Sequence, residues 1–243
     1  MSSPEAGHHK PAGAAPPVAG PRLIIIPTPI GNLEDLTPRA RRALEEVDVL
    51  ACEDTRHTRT LYEALGLKSP ARILSYHEHN EKEASGGLIK LIQEGKTVGL
   101  CSDAGMPLVS DPGYRLVRAA ADAGITIEVL PGPSAAINAL VASGLPPSSF
   151  IFKGFAPKKP GARKRMIEED KASSHTQIFY ESPHRIGQLL QECLELLGDR
   201  EAAVCAELTK KFERIDRAKL SELAPKYKEE QKGEFVLVVA GAD

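Results

Sequence analysis

The sequence predicts an α/β protein whose strands are mainly parallel, arranged as two lobes. From Arg22 onward, short β-branched runs alternate with segments of helical period, the pattern of strands joined by crossover helices. Four strand candidates end alike, in small residues, glycine and proline leading into a helix start: PTPIGNLEDLTP, CSDAGMPLVSDPG, LPGPSAA and YESPHR. In a parallel sheet such turns gather at the carboxyl ends of the strands, where ligands bind. The run GLPPSS at Gly144–Ser149 joins a helix stop to two prolines ahead of a fresh strand. It divides the chain into lobes over 22–146 and 147–241.

Taken in order, Met1–Pro21 is mostly Pro, Ala, Gly, Ser and His, so residues 1–21 are expected to form a disordered tail with no signal-peptide core and with His8 and His9 solvated. The first strand is Leu23–Ile26. A helix follows, with Thr37 as cap, Pro38 at the first helical position and Ala40, Ala43, Leu44 and Val47 on one apolar face. Strands at Val49–Cys52, Ile73–Tyr76, Thr97–Cys101 and Ile127–Leu130 complete the first lobe, with helices beginning near Thr55, Asn80, Asp111 and Pro133. The second lobe is expected to hold four strands, Phe150–Phe152, Gln177–Tyr180, Ala202–Ala206 and Phe235–Ala240, with helices from near Pro183 and Leu220. The run EFVLVVAG is too continuously apolar for an edge facing water.

Composition narrows the function. Of 243 residues, 42% are hydrophobic and 26% charged, and no apolar run approaches the roughly 20 residues that span a bilayer, so a membrane protein is not expected. Lysine plus arginine number 31 against 33 acidic residues, and the net charge of −2 leaves room only for local basic patches in polyanion binding. Aromatics at 5%, with no tryptophan, argue against a nucleic-acid binder built on stacking platforms. Cys52, Cys101, Cys193 and Cys205 are too far apart for a zinc motif and read as buried reduced thiols. His77 and His79 flank Glu78 without completing a metal site, so no metal is expected.

The glycine and proline turns suit a polar ligand, because glycine lets a ligand approach the backbone and helix starts at Pro38, Pro112, Pro133 and Pro183 would aim unpaired amides toward one region. The first turn is neither a dinucleotide fingerprint nor a phosphate-binding P-loop, since PTPIGN lacks both the three spaced glycines and a GK[ST] ending. Two basic clusters stand out. Arg56, His57 and Arg59 follow the second strand, and Lys158, Lys159, Arg163, Lys164 and Arg165 follow GFAP, where interleaved proline and glycine read as a mobile basic loop for RNA backbone.

The stretches IIIPTPIGNLEDLTPRA, CEDTRHTRTL, SDAGMPLVSDPGYRLV, LPGPSAAINALVASGLP, FYESPHRI and ELTKKFE resemble the signature stretches of the ribosomal RNA small subunit methyltransferase I family, within the tetrapyrrole methylase superfamily. The resemblance covers nearly all of Leu23–Gly241, departing at Ala156 and Ala218. It implies a two-lobed tetrapyrrole-methylase-like fold, with a mainly parallel sheet in the first lobe and a mixed sheet in the second. It further implies a cytoplasmic homodimer that binds S-adenosylmethionine between the lobes and methylates a cytidine ribose 2′-hydroxyl in small-subunit ribosomal RNA. Carried onto matching positions, the superfamily's cofactor contacts fall on Ile30, Ser102, Asp103, Met106, Ser134, Ala135, Glu181 and Leu208.

Methyl transfer to a ribose hydroxyl needs the oxygen placed in line with the methyl group and its proton removed as the bond forms. Candidate groups are Glu181 and His184 in YESPHR, and Glu207 and Lys210 in ELTK. An unperturbed histidine titrates near ~6.5, suited to a base. Arg185, with Lys210, is expected on phosphates or on developing alkoxide charge. Two other readings share these features. One is a methylase of a small tetrapyrrole-like molecule, the other a non-catalytic RNA-binding or assembly protein; the basic loop and DTRHTR favour RNA.

Overall fold

A computed structural model describes residues 20–242, so the expected tail lies almost wholly outside the described residues. The first sheet holds β1 (Leu23–Ile25), β2 (Val49–Cys52), β3 (Arg72–Ser75), β4 (Val98–Cys101) and β5 (Ile127–Val129), all parallel, in the order β3-β2-β4-β1-β5. Connecting them are α1 (Pro38–Glu46), α2 (Thr55–Leu65), α3 (Glu81–Gln93) and α4 (Tyr114–Asp122). Alternation along the strands serves two cores: Leu23 and Ile25 face α3 and α4, whereas Ile24 and Ile26 face α1 and α2. Thr37 caps α1, its Oγ1 accepting the Ala40 amide at 3.2 Å, with Pro38 opening the helix as the sequence predicts.

The second sheet is mixed. It holds β6 (Phe150–Phe155), β7 (Thr176–Glu181), β8 (Glu201–Ala206), β9 (Arg214–Lys219) and β10 (Phe235–Val239), in the order β6-β7-β10-β8-β9. β6 and β7 are parallel, and the other pairings are antiparallel. The apolar run of β10 lies in the middle of the sheet, buried throughout. One face packs on α6 (Pro160–Glu169), α7 (Ile186–Leu197) and α8 (Leu220–Lys226); the other packs on α5 (Ala135–Ser143). Thus α5 precedes the expected lobe boundary but covers the second sheet.

Three expectations need correction. β9 is a fifth strand of the second lobe, an edge whose charged alternation RIDRAK hides it. The basic stretch after GFAP is the helix α6, opened by Pro160, not a mobile loop. Pro112, Pro133 and Pro183 lie in the turns just ahead of α4, α5 and α7 and do not open those helices. The four cysteines are buried and unpaired, as expected.

Candidate active-site cleft

The turn after β1 and the turn after β4 are stitched by an isolated antiparallel bridge: the Thr28 amide donates to Gly105 O at 3.0 Å and the Gly105 amide returns to Thr28 O at 3.1 Å. The Thr28 hydroxyl also donates to Ser102 O at 3.1 Å, and the Ser102 hydroxyl donates to Gly105 O at 3.2 Å. Gly105 sits at φ 84°, and a side chain there would meet Ile30 Cγ2 at 3.1 Å. These bonds fix a rigid shelf at the carboxyl ends of β1 and β4, where adjacent connections leave the sheet in opposite directions.

Above the shelf lies a cavity of about 400 Å³ walled by both lobes. Ile30, Asp103, Met106, Ser134 and Ala135 line it from the first lobe and its exit into α5; Glu181 and Leu208 line it from the second. Of the expected cofactor residues, Ser102 alone is not in the wall: it is buried and holds the turn. Asp103 Oδ1 accepts the Asp54 amide at 3.1 Å. Ser134 precedes α5 without capping it, which leaves its hydroxyl available to a ligand. The Ala136 amide is taken by Tyr180 Oη at 3.1 Å.

Glu181, 2% exposed, ends β7. Its Oε1 accepts the Ser182 amide at 2.7 Å and Arg185 Nη2 at 2.6 Å, while its Oε2 has no partner among the described residues. A buried carboxylate oxygen left without a donor in a cavity wall awaits one from a ligand. Arg185 gives Nη1 to Ala156 O at 3.1 Å, so it braces Glu181 instead of reaching out to phosphate as expected.

His184 and Lys210 do not line the cavity. His184 is exposed on a separate shallow depression, its Nδ1 2.7 Å from Glu230 Oε1, so it is not placed to take a proton in the cleft. Lys210 donates to Glu207 Oε1 at 3.0 Å and Glu234 Oε2 at 2.8 Å. Burial pulls its pKa down, but the two carboxylates outweigh that and hold it above the usual lysine value, so it is a charged tie and not a base. Burial likewise raises Glu207, but Lys210 and the Glu234 amide leave it below the usual carboxylate range, outside the cavity wall. In the basic clusters, Arg56, Arg59, Lys158, Lys159, Lys164 and Arg165 are exposed. Arg163 is not available to RNA: it is 2% exposed, with Nε and Nη2 at 2.6 and 2.8 Å from the Glu192 carboxylate.

Sequence reasoning missed Asp111. It lines the cavity, and burial, with Glu53 and Asp103 nearby, pushes its pKa up to about 7 despite the Ser102 hydroxyl beside it. Burial and Asp103 also raise Glu53. The signal was present as the second aspartate of SDAGMPLVSDPG, read only as a turn. No group of three or more His, Cys, Asp or Glu among the described residues could hold a metal.

A cation-bearing nucleoside fits these walls. Ile30, Met106, Leu208 and Phe235 offer apolar surface, Ser134 a hydroxyl, and Asp103, Asp111 and the free Oε2 of Glu181 acceptors and negative charge. A family model described as Tetrapyrrole (Corrin/Porphyrin) Methylases matches residues 22–224. Relatives called Ribosomal RNA small subunit methyltransferase I are 47% identical in Halalkalibacterium halodurans, 46% in Escherichia coli O157:H7 and 45% in Bacillus subtilis, over 90 to 91% of this chain and 75 to 78% of theirs. The chain belongs to that family. Its fold is shared by the methyltransferase CobJ, with a TM-score of 0.68 at 20% identity over 91% of this chain and 94% of that one. Uroporphyrin-III-C-methyltransferase from Thermus thermophilus gives 0.62 at 25%, over 90% and 94%. As a member of the family, the protein is a methyltransferase that uses S-adenosylmethionine.

Proposed function

We propose that this methyltransferase acts on small-subunit ribosomal RNA in the cytoplasm, and that the acceptor is the ribose 2′-hydroxyl of a cytidine. The observation that carries the RNA reading is 45 to 47% identity over nine-tenths of the chain to relatives named for that RNA, against 20 to 25% for CobJ and the uroporphyrin enzyme. The cytidine 2′-hydroxyl rests on the motifs that carry the family resemblance, SDAGMPLVSDPG and ESPHR above all.

S-adenosylmethionine supplies a methyl group on a cationic sulfur. Asp103 and Ser134 would hold its polar groups, Ile30, Met106 and Leu208 would pack on its flat surfaces, and the unpartnered Oε2 of Glu181 would accept a hydrogen bond from donor or acceptor substrate. The brace from Arg185 keeps Glu181 in one orientation, the preorganisation that positioning catalysis requires. Outside the cleft, Arg56 and Arg59 on one side and Lys158, Lys159, Lys164 and Arg165 on the other would bind RNA phosphates. A homodimer is part of the proposal: Ile137 and Val141, one turn apart on α5, are 45% and 72% exposed on the side away from the second sheet, with Phe150 40% exposed.

The test is to incubate the protein with small-subunit RNA and S-adenosylmethionine and hydrolyse the RNA with alkali, which spares the bond following a 2′-O-methylated residue. Protection at one cytidine is expected. A methyl group on a base, or transfer only to a tetrapyrrole, would overturn the reading. Sedimentation should return twice the chain mass.

A further inference from the structure

The reaction needs a group to receive the hydroxyl proton, and neither His184 nor Lys210 stands in the cavity wall. Glu181 already shares Oε1 with Arg185 and the Ser182 amide, and Asp103 accepts the Asp54 amide. Asp111 differs from both. It lines the cavity and forms no ion pair among the described residues. The segment that delivers it holds Leu108 at φ 71° and Ser110 at φ 70°, followed by Gly113 at φ 143°. Left-handed backbone at non-glycine residues is strained and persists where the surroundings enforce it, often at functional sites. The groups facing Asp111 are the carboxylates of Glu53 after β2 and Asp103 after β4, the Ser102 hydroxyl, and the Tyr180 ring from β7.

We propose that Asp111 is the general base that takes the proton from the attacking ribose hydroxyl. The proposal rests on the reading of the acceptor given above. The hydroxyl oxygen gains the methyl carbon and loses its proton to the Asp111 carboxylate; the electron pair of the broken carbon–sulfur bond stays on sulfur. The positive charge that begins on sulfur thus ends as the proton that neutralises the carboxylate, and atoms and charge balance. Burial and the carboxylate neighbours, with no ion pair to Asp111 among the described residues, make it a better proton acceptor than an ordinary surface aspartate, and its titration near neutrality matches the working range of a base.

Three measurements decide it. In the ligand-free wild-type protein, carbon-13 NMR of labelled aspartate carboxyls, with Asp111 assigned from Asp111→Asn, should show a midpoint near 7; a midpoint in the ordinary aspartate range, below about 5, overturns the proposal. In single turnovers on substrate RNA at saturating donor, Asp111→Asn should lower the rate about 10²–10⁴-fold while calorimetry returns a donor Kd within about threefold of wild type. A loss under about tenfold overturns it, and so does a lost donor affinity with the rate restored at higher donor, because Asp111 would then be a charge partner of the donor. The wild-type rate should rise tenfold per pH unit below the midpoint and level off above it, a profile that needs no variant to be folded; a flat wild-type profile overturns the role, and in the variant that rise should vanish. If wild type methylates a base, the acceptor reading fails and Asp111 with it; if wild type forms the 2′-O-methyl and Asp111→Asn forms it equally fast, only Asp111 fails.

Discussion

The two lobes wall one cavity by different means. In the first, most wall residues sit in turns beyond a strand's carboxyl end, Ile30 after β1, Asp103, Met106 and Asp111 after β4, and Ser134 after β5, with Ala135 opening α5. In the second, most wall residues belong to the strands themselves: Tyr180 and Glu181 on β7, Cys205 on β8, Phe235 and Val236 on β10. Those strand residues are also core. Cys205 and Val236 pack with α5, and Phe235 packs with α7 and α8. Parallel strands point their ends at a ligand, so first-lobe site residues can change without disturbing the sheet. The second-lobe site residues that sit on strands cannot, and changes to them should cost folding stability before they cost binding.

The largest effect should come from the buried pair that underlies the second lobe's wall. Arg163 joins Glu192 and also donates Nη1 to Pro157 O and Lys158 O at 3.1 and 3.2 Å. Arg163→Met leaves Glu192 buried without its partner and should cost about 3–5 kcal/mol in urea unfolding. The double variant Arg163→Met, Glu192→Leu should recover most of that loss. A single variant within about 1 kcal/mol of wild type would show that water reaches the pair and that the second lobe is as tolerant as the first.

A matched pair of substitutions sharpens the contrast. Tyr180→Phe strands the Ala136 amide at the start of α5 and should cost about 1–2 kcal/mol. Ser134→Ala, on the facing wall, removes a hydroxyl that makes no capping bond and should change stability by under ~0.5 kcal/mol. Donor binding should follow the reverse order, with Ser134→Ala several-fold weaker in calorimetry. If Ser134→Ala unfolds more easily than Tyr180→Phe, the division between turn-built and strand-built walls is wrong.

The same division explains what could be read from the sequence. First-lobe strands such as Val49–Cys52 and Val98–Cys101 are buried on both faces, so they appear as continuous apolar runs, and the Thr37 and Pro38 start of α1 is purely local. The second lobe hides its elements behind distant partners. α6 buries only Arg163 and Ile167, and Arg163 is buried because Glu192 lies opposite, a pairing that composition reads as a basic loop. β9 is an edge whose Arg214, Arg217 and Lys219 are exposed, which removes the apolar signal. His184 stood close to Glu181 in YESPHR, but the turn at Ser182–Arg185 carries it out of the cleft. Asp111 was missed for the same reason Arg163 was misread: its character comes from Glu53 and Asp103, and no spacing in the chain declares that they meet.

Asp111 is the place where a first-lobe site residue should affect stability, and only with pH. Burial and the neighbouring carboxylates raise its pKa from 3.8 to about 7 on folding. The folded protein therefore binds a proton that the unfolded chain releases, a contribution present below 3.8 and lost as pH rises through about 7. Asp111→Asn should match wild type near pH 4 and become the more stable protein as pH rises to 8. Solvent screening of this partly exposed group brings the gap to on the order of 1 kcal/mol, or ~2–4 °C in Tm. Equal melting temperatures at pH 8 would show that the three carboxylates are fully hydrated.

The smallest effect on folding is expected from the exposed basic surface of α6 and its approach, and there binding alone should respond. Lys158, Lys159 and Arg165 are exposed, and Lys164 reaches Glu195 only at 3.8 Å between half-exposed groups, a contact worth under ~1 kcal/mol. Replacing the four with glutamine should leave unfolding and donor affinity nearly unchanged. Each phosphate contact removed should flatten the slope of log RNA affinity against log salt by about 0.7 for single-stranded RNA, because fewer counterions are released. Arg163 is left in place, since its guanidinium is committed to Glu192 and its loss would confound binding with unfolding. If the four substitutions leave the slope unaltered, this surface faces away from the RNA. The basic cluster at Arg56 and Arg59, where Arg56 already lies 3.1 Å from Asp54, must then carry the substrate, and RNA would approach the cavity from the turn-built lobe.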